Sequence, residues 1–213
     1  MTQEHELWKI VGWELALPDG WYKWTQGDRT EIDVAASAMA RTNAKTDEKG
    51  WRKICREYDG ERAPYVQEVA LWLPQEDAMV ERPANPWADI ETSLGAGDKE
   101  GKPASPEEWI AKLEAAEPTL EEDNYVYDNH EIEVMEKGQF IFVRELAHRR
   151  ITIPSEGIKD LEQLYCGIAI YIENCTDALL ISGQPINKDL NDLFLEQISE
   201  IAMNTVFQLE PIS

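Results

Sequence analysis

Cysteine is scarce in this chain: Cys55, Cys166 and Cys175 are the whole complement of 213 residues. An odd count without C-x-x-C spacing excludes a disulfide framework and a thiolate zinc site, and buried thiols in a reducing compartment are expected instead. Met1 to Gly20 has neither a basic start nor the continuous apolar run of a secretion leader. No apolar stretch is long enough to span a bilayer. A cytoplasmic protein is the expectation on these grounds. Histidine is also rare, and His5, His130 and His148 form no i, i+4 pair of the kind that holds a metal on a helix.

Catalytic motifs are missing as well. Gly95-Ala96-Gly97-Asp98-Lys99-Glu100-Gly101-Lys102 superficially has the look of a phosphate loop, but no glycine stands five residues before Gly101, and Pro103 occupies the place of the magnesium-binding Ser or Thr. Asp123 to Asp128 lacks the central glycine of a calcium loop. There is no G-x-S-x-G elbow. Cys166 and Cys175 with His148 are the nearest approach to a nucleophile and base, and Cys166 has the apolar neighbours of a core thiol. No cofactor, no metal and no enzymatic activity are expected.

Bases are few. Acids outnumber them 42 to 20, giving a formal net charge of −22. The excess is uneven: residues 1–73 carry 13 acids and 10 bases, residues 74–130 carry 15 and 4, and residues 131–213 carry 14 and 6. Such a field opposes direct binding to nucleic acid or to an anionic membrane, and attracts a basic partner. His148-Arg149-Arg150 is the main basic cluster of the second half, and neutralisation of neighbouring acids is its expected role.

What is present is enough apolar mass for a core, with hydrophobic residues at 43% and eight tryptophans. Leu7, Val11, Trp13, Leu15 and Leu17 alternate as in a strand, and Pro18-Asp19-Gly20 followed by Trp21–Trp24 predicts a Trp-rich hairpin. Asp28 is placed to cap a helix through Ala44. Trp51–Tyr58 fits a helix with Gly60 past its end, while Asp59-Gly60 also fits a hairpin turn into Pro64–Leu73; helix is the preferred reading, and Tyr65–Leu73 reads as a strand. Ser105-Pro106-Glu107-Glu108 is a capping box opening a helix to about Ala116. Glu131–Met135 and Gln139–Arg144 form a hairpin about Lys137-Gly138, with a third strand at Ile151–Ile153. Leu161, Leu164, Tyr165, Ile168 and Ile172 have helical spacing, and Ala178–Ile181 is a short strand. Last comes a long amphipathic helix over 187–207, with Asn187 at its N-cap and Leu190, Leu193, Phe194, Ile198, Ile201, Ala202 and Val206 on its inner stripe. Clustered strands between helices predict an α+β fold, with small antiparallel sheets packed with several helices and a long C-terminal helix. The expected organisation is a Trp-rich α+β half over 1–73, a Pro/Gly-rich loop or linker over 74–105, and an α+β half over 106–213, the whole being compatible with one continuous domain.

Charge carries the functional expectation. Lys and Arg are absent from Leu113 to Met135, where acids are interleaved with tyrosines. Carboxylates steer and pair with basic groups, and tyrosine supplies stiff contact area with a polar tip. Glu121, Glu122, Asp123, Tyr125, Tyr127 and Asp128 are therefore the expected partner-binding residues, with Trp87, Asp89 and Glu91 in the preceding loop as a second patch. The reading that follows is an acidic cytoplasmic inhibitor of the immunity or antitoxin kind, occupying the basic surface of a toxin- or nuclease-like partner. A DNA mimic that blocks a nucleic-acid-binding enzyme, a chaperone for a basic cargo, and a small enzyme with a site assembled from distant residues are the alternatives.

Overall fold

A computed structural model describes residues 6–43, 46–73, 86–95, 102–115, 119–120, 125–153, 158–186 and 188–212, with the backbone alone at 119–120, 125–129, 151–153, 158–161 and 188. In chain order the elements are β1 (Trp8–Glu14), β2 (Trp21–Thr25), α1 (Arg29–Thr42), α2 (Glu48–Gly60), β3 (Val66–Trp72), β4 (Ala88–Gly95), α3 (Pro106–Glu114), β5 (Thr119–Leu120), β6 (Tyr125–Lys137), β7 (Phe140–Ile153), β8 (Ile158–Ile172), β9 (Ala178–Pro185), α4 (Asn191–Asn204) and β10 (Val206–Pro211). Eight strands form one sheet in the order β2-β3-β4-β9-β8-β7-β6-β5, and β1 pairs with β10 in a separate two-stranded ribbon. Every pairing between the described strands is antiparallel, and one isolated parallel bridge joins Trp8 to Cys175.

This corrects the expected fold class. The protein is built on one large antiparallel sheet, and its helices are short. The largest departure is β8, where helical spacing was read. Leu164, Cys166, Ile168, Ile170 and Ile172 face one core, while Ala169 and Tyr171 face another. A strand covered on both sides is apolar at nearly every position, so its period of two is hidden, and the β-branched run Ile168–Ile172 settles the conformation. The terminal helix is also shorter than expected. A 3₁₀ turn at Lys188–Leu190 precedes α4, Leu190 stands at the N-cap with no side-chain bond, and the expected cap Asn187 lies outside the described residues. After Asn204 the chain turns into β10, so Val206 is an exposed strand residue instead of part of the helical stripe.

The Trp-rich hairpin does not form. β1 pairs with β10, and β2 pairs with β3, placing Trp21 opposite Trp72. Those two indoles stack at 5.9 Å, and Trp87 meets Trp72 edge-on at 5.2 Å. The partner choice follows from burial: a tryptophan pair inside the main core removes more apolar surface from water than a local ribbon at the surface. β4 is a further departure, since Ala88–Gly95 falls within the stretch expected to be a loop. Ala88 and Ile90 face the main core and alternate with Asp89 and Glu91, so the strand is apolar on one side only. Strands from 21–72 and from 125–185 thereby share one sheet across β4.

Two layers cover the sheet. On one face α4 and the β1–β10 ribbon enclose the main core, with Phe194, Ile198 and Ile201 fully buried. On the other face there are two separate cores. Helices α1 and α2 cover β2 and β3 through Trp24, Ile32, Met39, Trp51, Val69 and Leu71. Helix α3 covers β7, β8 and β9 through Leu113, Val143, Ala169 and Tyr171. The helix caps are local: Asp28 accepts from the N–H groups of Thr30 and Glu31, Asp47 from Gly50, and Ser105 from Glu108.

Candidate functional site

Between the two cores on that second face, the strand pleat presents polar side chains. Registers place Asp89 opposite Gln184 and Glu91 opposite Ser182, then Ser182 opposite Gly167 and Gly167 opposite Glu145, with Ala147 between Tyr165 and His130. The result is a polar trough crossing β4, β9, β8, β7 and β6. Arg62, at the end of α2, reaches over it. Its guanidinium donates to Asp89 and, at 3.2 Å, to Glu91 Oε2, and it lies 5.7 Å from the Tyr58 ring. Ser182 hydrogen-bonds with Glu91 and with Tyr165. Arg149 sits 3.7 Å above the Tyr165 ring, close enough for a strong cation–π contact. His130 Nε2 is 3.0 Å from Glu145 Oε1. Gly167 makes room for this: a Cβ there would stand 3.1 Å from the Tyr165 hydroxyl.

Electrostatics decide what the trough can do. Asp89 is 2% exposed. Burial pushes its carboxyl up, against the pull of the adjacent Arg62 guanidinium, and Glu91 is raised by burial in the same way. Burial also raises the Tyr165 phenol, with Glu145 adding to it. Removing two opposite charges from water costs several kcal/mol per ion, which only close mutual contact offsets. The charges here meet one another, so the trough is a cross-brace tying the α2–β3 connection to the middle of the sheet. It is not an arrangement of nucleophile and base. The thiols point the same way: burial pushes Cys55 and Cys166 up to about 12 and raises Cys175, and His148 is exposed at register with Leu164.

The sheet edge is different. β6 has 13 residues and pairs with β7 along its whole length. On its outer side β5 covers only Tyr125 and Val126. From Tyr127 to Lys137 no described strand lies beyond it. Glu131, Glu133, Val134, Met135, Glu136 and Lys137 are exposed, Val134 at 49% and Met135 at 43%. Beside Met135, towards α4, lies a shallow hollow of about 30 Å³ lined by Phe142, Ile168, Ala202 and Met203. Glu133 and Arg144 are ion-paired at its margin. Lysine and acidic residues on an edge strand hinder indiscriminate pairing while leaving the backbone groups available.

The expected partner-binding residues are dispersed by this arrangement. Glu121, Glu122 and Asp123 lie outside the described residues. Tyr125, Tyr127 and Asp128 fall on β6, with Tyr125 at register with Ile151, Tyr127 with Arg149, and Asp128 at an irregularity of the ladder. Trp87 is half-buried against Trp72, and Asp89 and Glu91 belong to the trough through Arg62. Sequence reasoning passed over Arg62, Glu145, Ser182 and Gln184, and took Arg149 only as part of a basic cluster and Tyr165 as a helix residue. The usable signal was the alternation of Asp89 and Glu91 with Ala88 and Ile90, and of Ser182 and Gln184 with Ile181 and Gly183. Among the described residues no cluster of His, Cys, Asp or Glu suits a metal ion, and no helix is long and apolar enough to cross a membrane.

No family model and no curated protein matches the sequence. A similar solved structure is the solution structure of cyanobacterial PsbP (CyanoP) from Synechocystis sp. PCC 6803, at 11% identity and a TM-score of 0.45, covering 92% of this chain and 87% of that one. At that level of similarity nothing of its role passes to this chain, and nothing in the likeness makes the chain an enzyme. What was found is nevertheless a PsbP and not an immunity protein, antitoxin or inhibitor. The inhibitor reading is withdrawn, together with its DNA-mimic and chaperone alternatives and its basic toxin- or nuclease-like partner. Structure supplies a physical reason: the base-free acidic stretch enters β6, where Arg149 and Arg150 stand in register opposite Tyr127 and Val126, so a one-signed surface is broken up. The cytoplasmic placement is withdrawn as well. All three free thiols are buried and so shielded from oxidants, and their being unpaired does not report a reducing compartment.

Proposed function

We propose that the protein is a non-catalytic docking module that takes up an extended segment as an added strand on the outer edge of β6. The observation carrying this is the run from Tyr127 to Lys137, beyond which no described strand lies. Strand addition draws affinity from backbone hydrogen bonds and specificity from pockets that receive alternate side chains. The hollow beside Met135 is shallow and apolar, and on the α4 side of the edge it offers a contact for one such side chain. Tyr127 and Asp128 belong to this edge by position, and the trough contributes rigidity behind it. Peptides selected from a random library on the full chain provide the test, read by hydrogen exchange. Binders should protect the amides of 127–137 and fail on the Met135→Lys variant. Binders that protect other elements and leave 127–137 unchanged would sink the proposal.

A further inference from the structure

We infer that the strand β6 receives is β6 of a second copy of this chain, antiparallel about a two-fold axis at Met135. This rests on the docking role of the β6 edge and names its occupant. A two-fold axis perpendicular to the sheet keeps α4 of both copies on the same side, and the shared ladder runs from Glu133 to Lys137, each residue facing one of the same parity. With the axis at Met135, Met135 meets Met135, Val134 meets Glu136, and Glu133 meets Lys137. The charges support this register. Lys137 is the single base between Leu113 and Val143, and it lands against Glu133, extending the Glu133–Arg144 pair into a three-residue chain across the junction. Shifting the axis to Glu133 would set Glu133 against Glu133, a directly opposed like-charge pair.

Apolar surface supports it too. Met135 is 43% exposed and Met203 36%, and both border the hollow on the α4 side. Because the axis keeps the two hollows on one side, they meet across it, and the paired Met135 side chains fill the junction. Methionine suits this position, since its unbranched thioether adapts to an irregular gap. The net charge of −22 on each copy opposes association. Salt screens that repulsion, with a Debye length of about 8 Å at physiological ionic strength, so the dimer should tighten as salt is raised from low values.

Sedimentation of the full chain over a range of concentrations tests this. A dimer is expected, tighter in added sodium chloride. Lys137→Glu should weaken it about tenfold without loss of circular dichroism, because each junction then holds opposed acids. Met135→Cys should give a disulfide-linked dimer on mild oxidation, through the one accessible thiol, the other three being buried. Crosslinking through Val134→Cys in place of Met135→Cys would overturn this register. A monomer at every concentration and salt would overturn the second copy as the occupant. Library peptides that still protect 127–137 on that monomer would leave the docking role intact, and their absence would remove both.

Discussion

At the scale of single residues, burial is the main cause of the raised values at Asp89, Glu91, Tyr165, Cys55 and Cys166. Arg62 shows the cost of interrupting a buried pair. Arg62→Ala leaves Asp89 charged or protonated at 2% exposure with its main counter-ion gone. A loss of about 3–5 kcal/mol is expected in urea titration. Gly183 is constrained differently. A Cβ there would stand 2.1 Å from the Asp89 carbonyl oxygen and 2.9 Å from Ile90 Cα, both backbone atoms of β4 that cannot swing aside. Gly183→Ala should therefore cost about 3 kcal/mol through displacement of the β4–β9 ladder. The thiols give a pH dependence. Burial lifts Cys55 and Cys166 from 9.0 to about 12. Folded values above the unfolded ones mean that their stabilising contribution is complete below about pH 9 and is lost as pH rises towards 12. The urea midpoint should fall across that window, and less steeply in Cys166→Ala. A thiol reagent at pH 8 should find no reactive cysteine until the protein is unfolded.

At the scale of elements, α4 and the capped helices were the most legible parts of the chain. Phe194, Ile198 and Ile201 have helical spacing, and the structure buries all three completely. Leu193 sits on the same expected stripe but is 41% exposed, because the sheet beneath α4 meets a narrower face than the sequence pattern implies. Phe194→Ala should cost about 3–5 kcal/mol in a denaturant titration. Leu193→Ala should stay within about 0.5 kcal/mol, as for an ordinary surface change. Asp28 and Ser105 cap their helices through nearest-neighbour geometry, which is why the sequence displays these starts, whereas the Asp47 cap of α2 came only from the structure. The hairpin turn at Gly138 was legible for the same reason: its φ of +64 is a conformation glycine adopts without strain. β8 and β4 were not legible. One is apolar on both sides and the other polar on the side that meets the trough, and each pattern depends on layers far away in sequence.

At the scale of the whole molecule, a ribbon and a sheet tie together strands that are distant in sequence. β1 from the first residues pairs with β10 from the last, and β2–β3 join β6–β9 through β4 and β9. The organisation proposed here is accordingly one cooperative unit. Tryptophan fluorescence and far-ultraviolet circular dichroism should give coincident unfolding curves, since Trp24 and Trp51 lie in one core and Trp21 and Trp72 in another. Two separated transitions would instead support independent halves about the 74–105 stretch. Hydrogen exchange should be slowest in β8 and β9, which are flanked by strands and covered on both faces, and fastest along the outer side of β6.

The sequence by itself determined what depends on neighbours a few residues apart: the helix starts at Asp28 and Ser105, the Lys137-Gly138 turn, the buried stripe of α4, and the missing catalytic motifs. It also set the net charge, though not its arrangement in space. Only the tertiary structure decided which strands pair, that a Pro- and Gly-rich stretch contains a central strand, and that Arg62, Asp89, Glu91 and Tyr165 meet. The reason is physical. A helix cap or turn is closed by hydrogen bonds within one short segment, whereas strand partners and buried charge pairs join separate segments, from Arg62 and Asp89, 27 residues apart, to the two ends of the described chain. Trp8 and Pro211 pair across nearly the whole chain, and no local pattern encodes that choice.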